Sequence, residues 1–156
     1  MNSDSDGEPM YKSTSKLHWN LVHDPNTSGL VLHELCEVLP DYLLERIAGH
    51  PHVEQYTLVR LSMHHDPDVR AAVSENLSTP PDVLAFLLKD ESADVRYTMA
   101  ENHNLAIHLL EQLGEDENPY VSSRAQKTLF RLQEGKCVQA VFDYGTAYEE
   151  KFLEGF

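Results

Sequence analysis

The sequence predicts an all-α fold, a solenoid of 26-residue helix-turn-helix units without a sheet, and three observations carry that prediction. The first is self-similarity. Asp68-Val69-Arg70 returns as Asp94-Val95-Arg96, and the same 26-residue offset aligns Leu32, Leu58, Leu84 and Leu110, then Leu35, Leu61, Leu87 and Leu113. Tandem periods of this length mark repeat architectures. The second is spacing within a unit. Val69 and Val73 stand four apart, and Val83, Leu84, Leu87 and Leu88 fall at i, i+1, i+4 and i+5. These are helical periods, and neither cluster alternates as a strand would. The third is capping: Asp66, Ser92 and Asn118 are good N-cap residues one period apart, followed by Pro67, Ala93 and Pro119.

Taken in order, residues 1–16 are polar, rich in Ser and Asp and without periodicity, which predicts a disordered tail. Residues 17–132 hold four to five units. First helices contribute the columns Leu17, Leu43, Val69, Val95, Val121 and Leu21, Ile47, Val73, Met99, Ala125. Second helices contribute the two Leu columns. In the unit around 66–89, Thr79 is expected to cap the second helix, with Pro80 at its first position and Asp82 at the capping-box site. Thr27 is equivalent, whereas Val53 and Leu105 are not cap residues. Helices of about ten residues are marginal alone. They persist if the Leu columns of successive units stack into one core. Beyond Leu132 the register fails, and Glu134-Gly135 reads as a helix stop. The segment 133–156 carries Tyr144, Tyr148, Phe152 and Phe156 at four-residue steps. It is expected to cap the last open Leu face, the alternative being a helix that docks in a partner's groove.

The run Asn76-x-Ser-Thr79-Pro-Pro-Asp-Val-Leu84-x-x-Leu87, followed by Asp90 and Asp94-Val95-Arg96, resembles the leucine-rich repeat variant, a bacterial repeat related in shape to HEAT-type arrays. The resemblance covers about three quarters of the chain and is best over 66–102. It implies a right-handed superhelix of paired helices, some of them 3₁₀ turns. The 26-residue period is longer than is usual in that family. The Cys-rich iron–sulfur segment of one branch is absent, so the resemblance implies no cluster.

Charge and motifs narrow the function. With 26 acidic residues against 12 Lys and Arg, the net charge is −14, which argues against tracking a nucleic-acid backbone or docking on anionic lipid. No apolar run approaches the roughly 18 residues of a membrane span. Residues 1–16 lack the apolar core of a leader, so a cytoplasmic protein is expected. Cys36 and Cys137 are too few for a disulfide scaffold or a four-thiolate metal site. Cys36 adjoins the Leu core and reads as a buried structural thiol. No nucleophile elbow, phosphate loop or HExxH motif is present, so no enzyme activity and no cofactor are expected.

Four histidines invite a metal reading: His50, His52, His64 and His65, the last two beside Asp66 and Asp68. They lack paired-His helix spacing, and a solvated turn ridge is the preferred account. The column Asp24, His50, Asn76, Asn102 reads as a structural polar ladder. Arg70 and Arg96 are expected to bridge to acids of the neighbouring unit, the alternative being a grip on a partner's carboxylate or phosphate. Trp19, Tyr97 and Phe86 project as partner anchors, with Tyr42 and Tyr120 in a second column. The function these features favour is a non-enzymatic protein-interaction scaffold whose acidic surface meets a protein with a basic patch. The alternatives are a HEAT-like subunit of an enzyme, such as a chromophore-attachment complex, and a histidine-based metal binder.

Overall fold

The computed structural model describes residues 10–134, with side chains from Lys16 onward. Those residues are all-helical, with no strand among them. In chain order the helices are α1 (Met10–His23), α2 (Gly29–Leu35), α3 (Asp41–Ala48), α4 (Gln55–Leu61), α5 (Pro67–Glu75), α6 (Pro81–Leu87), α7 (Ala93–Glu101), α8 (Ile107–Leu113) and α9 (119–134). No described helix is long and apolar enough to cross a membrane. Bonds of the 3₁₀ type tighten helix starts, as from Leu43 N–H to the Pro40 carbonyl at 2.9 Å, but no described helix is itself 3₁₀.

The chain divides into two compact units, Met1–Val95 and Arg96–Phe156. In the first, α3 packs between α1 and α5, while α2, α4 and α6 each lie against a chain neighbour. Leu43 and Ile47 of α3, Val69 and Val73 of α5, and Leu32, Leu58 and Leu87 of the second helices are buried together with Leu35 and Leu61. Each such side chain contributes about 1.5–3 kcal/mol by leaving water. In the second unit Met99, Leu110, Leu113, Val121 and Ala125 fill the interior.

Several sequence expectations change here. Leu84 is only half-buried; α6 turns Val83 and Leu87 inward, and Leu84 lies about 100° round the helix from Val83. The position before the column Leu is a core position in α4, α6 and α8, where Thr57 is fully buried and Val83 and Leu109 nearly so, but not in α2, where Val31 is exposed. Leu17 is exposed and Val22 takes the inward position of α1. Helix α1 also starts at Met10, inside the segment expected to be a disordered tail. Residues 1–9 and the aromatic segment from 135 onward, with Cys137, lie outside the described residues.

Thr79 has a different role from the predicted cap. The N-cap of α6 is Pro80, with Pro81 at the first helical position. Thr79 instead donates its hydroxyl to the Val73 carbonyl at 2.6 Å, and Thr27 does the same to Leu21 at 2.6 Å. Both threonines therefore bond a carbonyl in the last turn of the preceding helix, at Val73 alongside the Asn76 N–H. Val53 and Leu105 are buried at the equivalent position, which is a core position first and a polar one second.

Candidate functional site

The turn between α4 and α5, Ser62 to Asp66, brings together most of the chemistry in the described residues. It is pinned from several sides. Asp66 caps α5 by accepting the Asp68 N–H at 3.0 Å. Arg70 reaches back from α5, and its Nη1 donates to the carbonyls of His64 at 2.7 Å and His65 at 3.0 Å. The remaining face of the guanidinium closes on Asp90, Nε to Oδ2 at 2.7 Å and Nη2 to Oδ1 at 2.8 Å. Asp90 raises the Arg70 pKa further above its ordinary value, chiefly through these hydrogen bonds.

His64 stands where Asp90 and Asp116 stand in later turns, and it does their work. Its Nδ1 accepts the Asp66 N–H at 3.2 Å, as Asp90 Oδ1 accepts from Ser92 at 2.9 Å and Asp116 Oδ1 from Asn118 at 2.8 Å. An accepting Nδ1 leaves the proton of the neutral ring on Nε2. That atom lies 3.7 Å from Asp41 Oδ1, at the start of α3. His65 Nε2 lies 3.1 Å from the other carboxylate oxygen. The two rings are tilted against each other with centroids 4.3 Å apart. Two imidazoles thus converge on one carboxylate. His64 is largely buried, Asp41 half-exposed and His65 exposed.

Beside this cluster runs a shallow groove lined by Ser62, Met63, Phe86, Lys89 and Glu91. Met63 and Phe86 are apolar yet 69% and 58% exposed, so the groove has two unpartnered hydrophobic flanks within a charged rim. A larger open groove, about 690 Å³, is lined in part by His23, Arg46, His50 and Asn76. Its polar groups already serve the fold. His50 accepts from His52 N–H through Nδ1 at 3.1 Å and donates from Nε2 to the Asp24 carbonyl at 2.9 Å. Asn76 accepts from Ser78 N–H at 2.8 Å and donates to the Ala48 carbonyl at 2.6 Å. Thr128 continues the pattern in the second unit by donating to the Ala100 carbonyl at 2.7 Å.

The four histidines therefore separate. His50 has both ring nitrogens committed and His52 belongs to that turn, whereas His64 and His65 gather with Asp41. Spacing in the chain did not reveal Asp41; its only local sign is an acid opening a helix after Pro40. Arg70 and Arg96 are buried and held by in-chain partners, Arg96 Nε donating to Asp116 Oδ2 at 2.7 Å. That placement removes both from the exposed anchor set. Arg96 also holds the Asp116 carboxyl below its ordinary pKa. Phe86 is exposed, Tyr97 marginally so, and Trp19 is half-exposed and stacked on His23 at 4.0 Å. Cys36 is buried, donates to the Leu32 carbonyl at 3.3 Å, and has its pKa pushed up to about 11 by burial, against the pull of Arg60. No family model, curated protein or solved structure matches the chain.

Proposed function

We propose that this chain is a non-enzymatic protein-interaction module: an α-solenoid of 26-residue units, of the leucine-rich repeat variant kind, that works in the cytoplasm as a scaffold for a protein with a basic patch. Support for the repeat comes from helix starts at Gly29, Gln55, Pro81 and Ile107, and from the bidentate Arg–Asp pair formed once by Arg70 and Asp90 and again by Arg96 and Asp116. The observation that carries the interaction reading is the groove flanked by Met63 and Phe86. Large apolar side chains exposed beside a concave polar surface are the usual composition of a binding hot spot. The net charge of −14 steers basic partners toward it.

Affinity capture from the native cell tests the reading, using wild type beside Phe86→Ser and Met63→Ser at low and high salt. Both side chains are exposed, so both variants are expected to melt like wild type. A partner held by wild type, weakened by salt and lost from the variants is the expected result. Capture indifferent to both substitutions and to salt would remove the basis for this function.

A further inference from the structure

We infer that His64 makes the groove flanked by Met63 and Phe86 sensitive to protons: in mild acid the α4–α5 turn loses a hydrogen bond that holds it, whereas the equivalent later turns keep theirs. The inference rests on the interaction function proposed above and names the regulation of the same groove. Its basis is a difference between turns. Asp90 and Asp116, which correspond to His64, accept the N–H two residues on and pair with Arg70 and Arg96. The residue that corresponds to those arginines in the earlier unit is Leu44, which is buried. With no guanidinium to neutralise it, a carboxylate at 64 would be a poorly compensated charge beside Asp41. A neutral imidazole fills the role instead, with Nδ1 3.2 Å from the Asp66 nitrogen.

The two kinds of acceptor respond to protons differently. Imidazoles change charge roughly between pH 5 and 8, well above the range in which carboxylates do. An Nδ1 that carries a proton is a donor, and here it faces a second donor, the Asp66 N–H. Asp41 on α3, 3.7 Å from Nε2, then draws the imidazolium toward α3. His65 shares that carboxylate at 3.1 Å, with its ring centroid 4.3 Å from that of His64, so a second proton adds repulsion between the rings. From α5, Arg70 holds the His64 carbonyl, its own charge paired with Asp90 and with Glu91 3.8 Å away. Lys89 lines the same groove as a further cation, and the Asp66 carboxylate stays committed to the Asp68 N–H. The turn so loosened carries Met63, one of the two apolar flanks.

Amide exchange by NMR on the full chain, at about pH 7.5 and about pH 5.5, tests the inference with controls inside the same molecule. Rates are read as protection relative to the intrinsic rate at each pH. Protection of the Asp66 amide is expected to fall about tenfold in acid, the worth of one hydrogen bond. Ser92 and Asn118, held by carboxylates, should keep theirs. Wild type is compared with itself, so this result does not depend on a variant that folds. His64→Asn retains an acceptor without the titration, as Asn76 Oδ1 accepts from the Ser78 N–H, and should abolish the acid loss. Affinity capture at the same two pH values reads the groove: wild type should release its partner in acid and His64→Asn should retain it. Equal protection of Asp66 at both pH values, or a parallel fall at Ser92 and Asn118, overturns the switch. A fall confined to Asp66, with capture that responds alike in wild type and His64→Asn, overturns its control of the groove. Failure to capture any partner at either pH counts against the interaction function alone, and the amide comparison still decides the switch.

Discussion

Arg70 shows how a buried charge is tolerated in this chain. It is 6% exposed, and its hydrogen bonds run to the Asp90 carboxylate and to two backbone carbonyls. Removing one member of such a pair strands the other. Arg70→Ala should therefore cost about 3–5 kcal/mol in denaturant unfolding, whereas Arg70→Met combined with Asp90→Leu should cost clearly less. Equal losses would show that the pair is not the cause. Cys36 makes an independent prediction. A thiol with its pKa near 11 is thiolate at roughly one part in a thousand at pH 8. Iodoacetamide at that pH should leave Cys36 unmodified in the folded chain and label it in denaturant, as read by peptide mass spectrometry. Labelling at the denatured rate in both states would contradict its burial.

Among the helices, the two kinds of start differ in how they are stabilised. Asp66, Ser92 and Asn118 accept backbone N–H groups two residues on, as N-caps should. Helices α2, α4, α6 and α8 begin without a side-chain cap and rely on burial instead. Gly29, at the start of α2, records how closely the turns approach. A Cβ there would sit 2.6 Å from the His52 carbonyl oxygen and 2.5 Å from Glu54 Cγ. Glu54 can swing away, but the backbone oxygen cannot move without shifting its turn. Gly29→Ala should thus destabilise by about 1–3 kcal/mol as overpacking does. At Gly49 the nearest atom is 3.7 Å away and φ is −83°, so Gly49→Ala should be neutral or slightly stabilising. Paired thermal melts distinguish the two positions, and a tolerated Gly29→Ala would mean that the α2 start moves freely.

For the molecule as a whole, pH acts through the carboxylates. Asp116 has its pKa lowered from 3.8, mainly by hydrogen bonding to Arg96 against the opposing effect of burial. A depressed folded-state pKa means the unfolded chain binds the proton more readily. The stability Asp116 supplies is therefore fully present at neutral pH and is lost as pH falls through and below about 4. Asp116→Asn should melt well below wild type at pH 7, and the gap should shrink in that acid range. A gap that stays constant on acidification would deny the ionic role of the pair.

Chain order alone determined that this is a helical protein with recurrent short elements, because helix period, N-cap chemistry and aliphatic spacing act within a few residues of one another. Leu32, Leu58, Leu87 and Leu110 are buried as their columns required, and Cys36 is buried as well. Packing between elements decided the rest. Leu84 and Val83 are both apolar neighbours, and the rotation of α6 against its surroundings chose Val83. Thr79 carries a cap residue's side chain, but the closeness of the α5 carboxyl end turned its hydroxyl to Val73. The cluster at His64 and His65 needed Asp41 from another helix, and local spacing encodes no distance to a residue that arrives only when α3 settles near the α4–α5 turn.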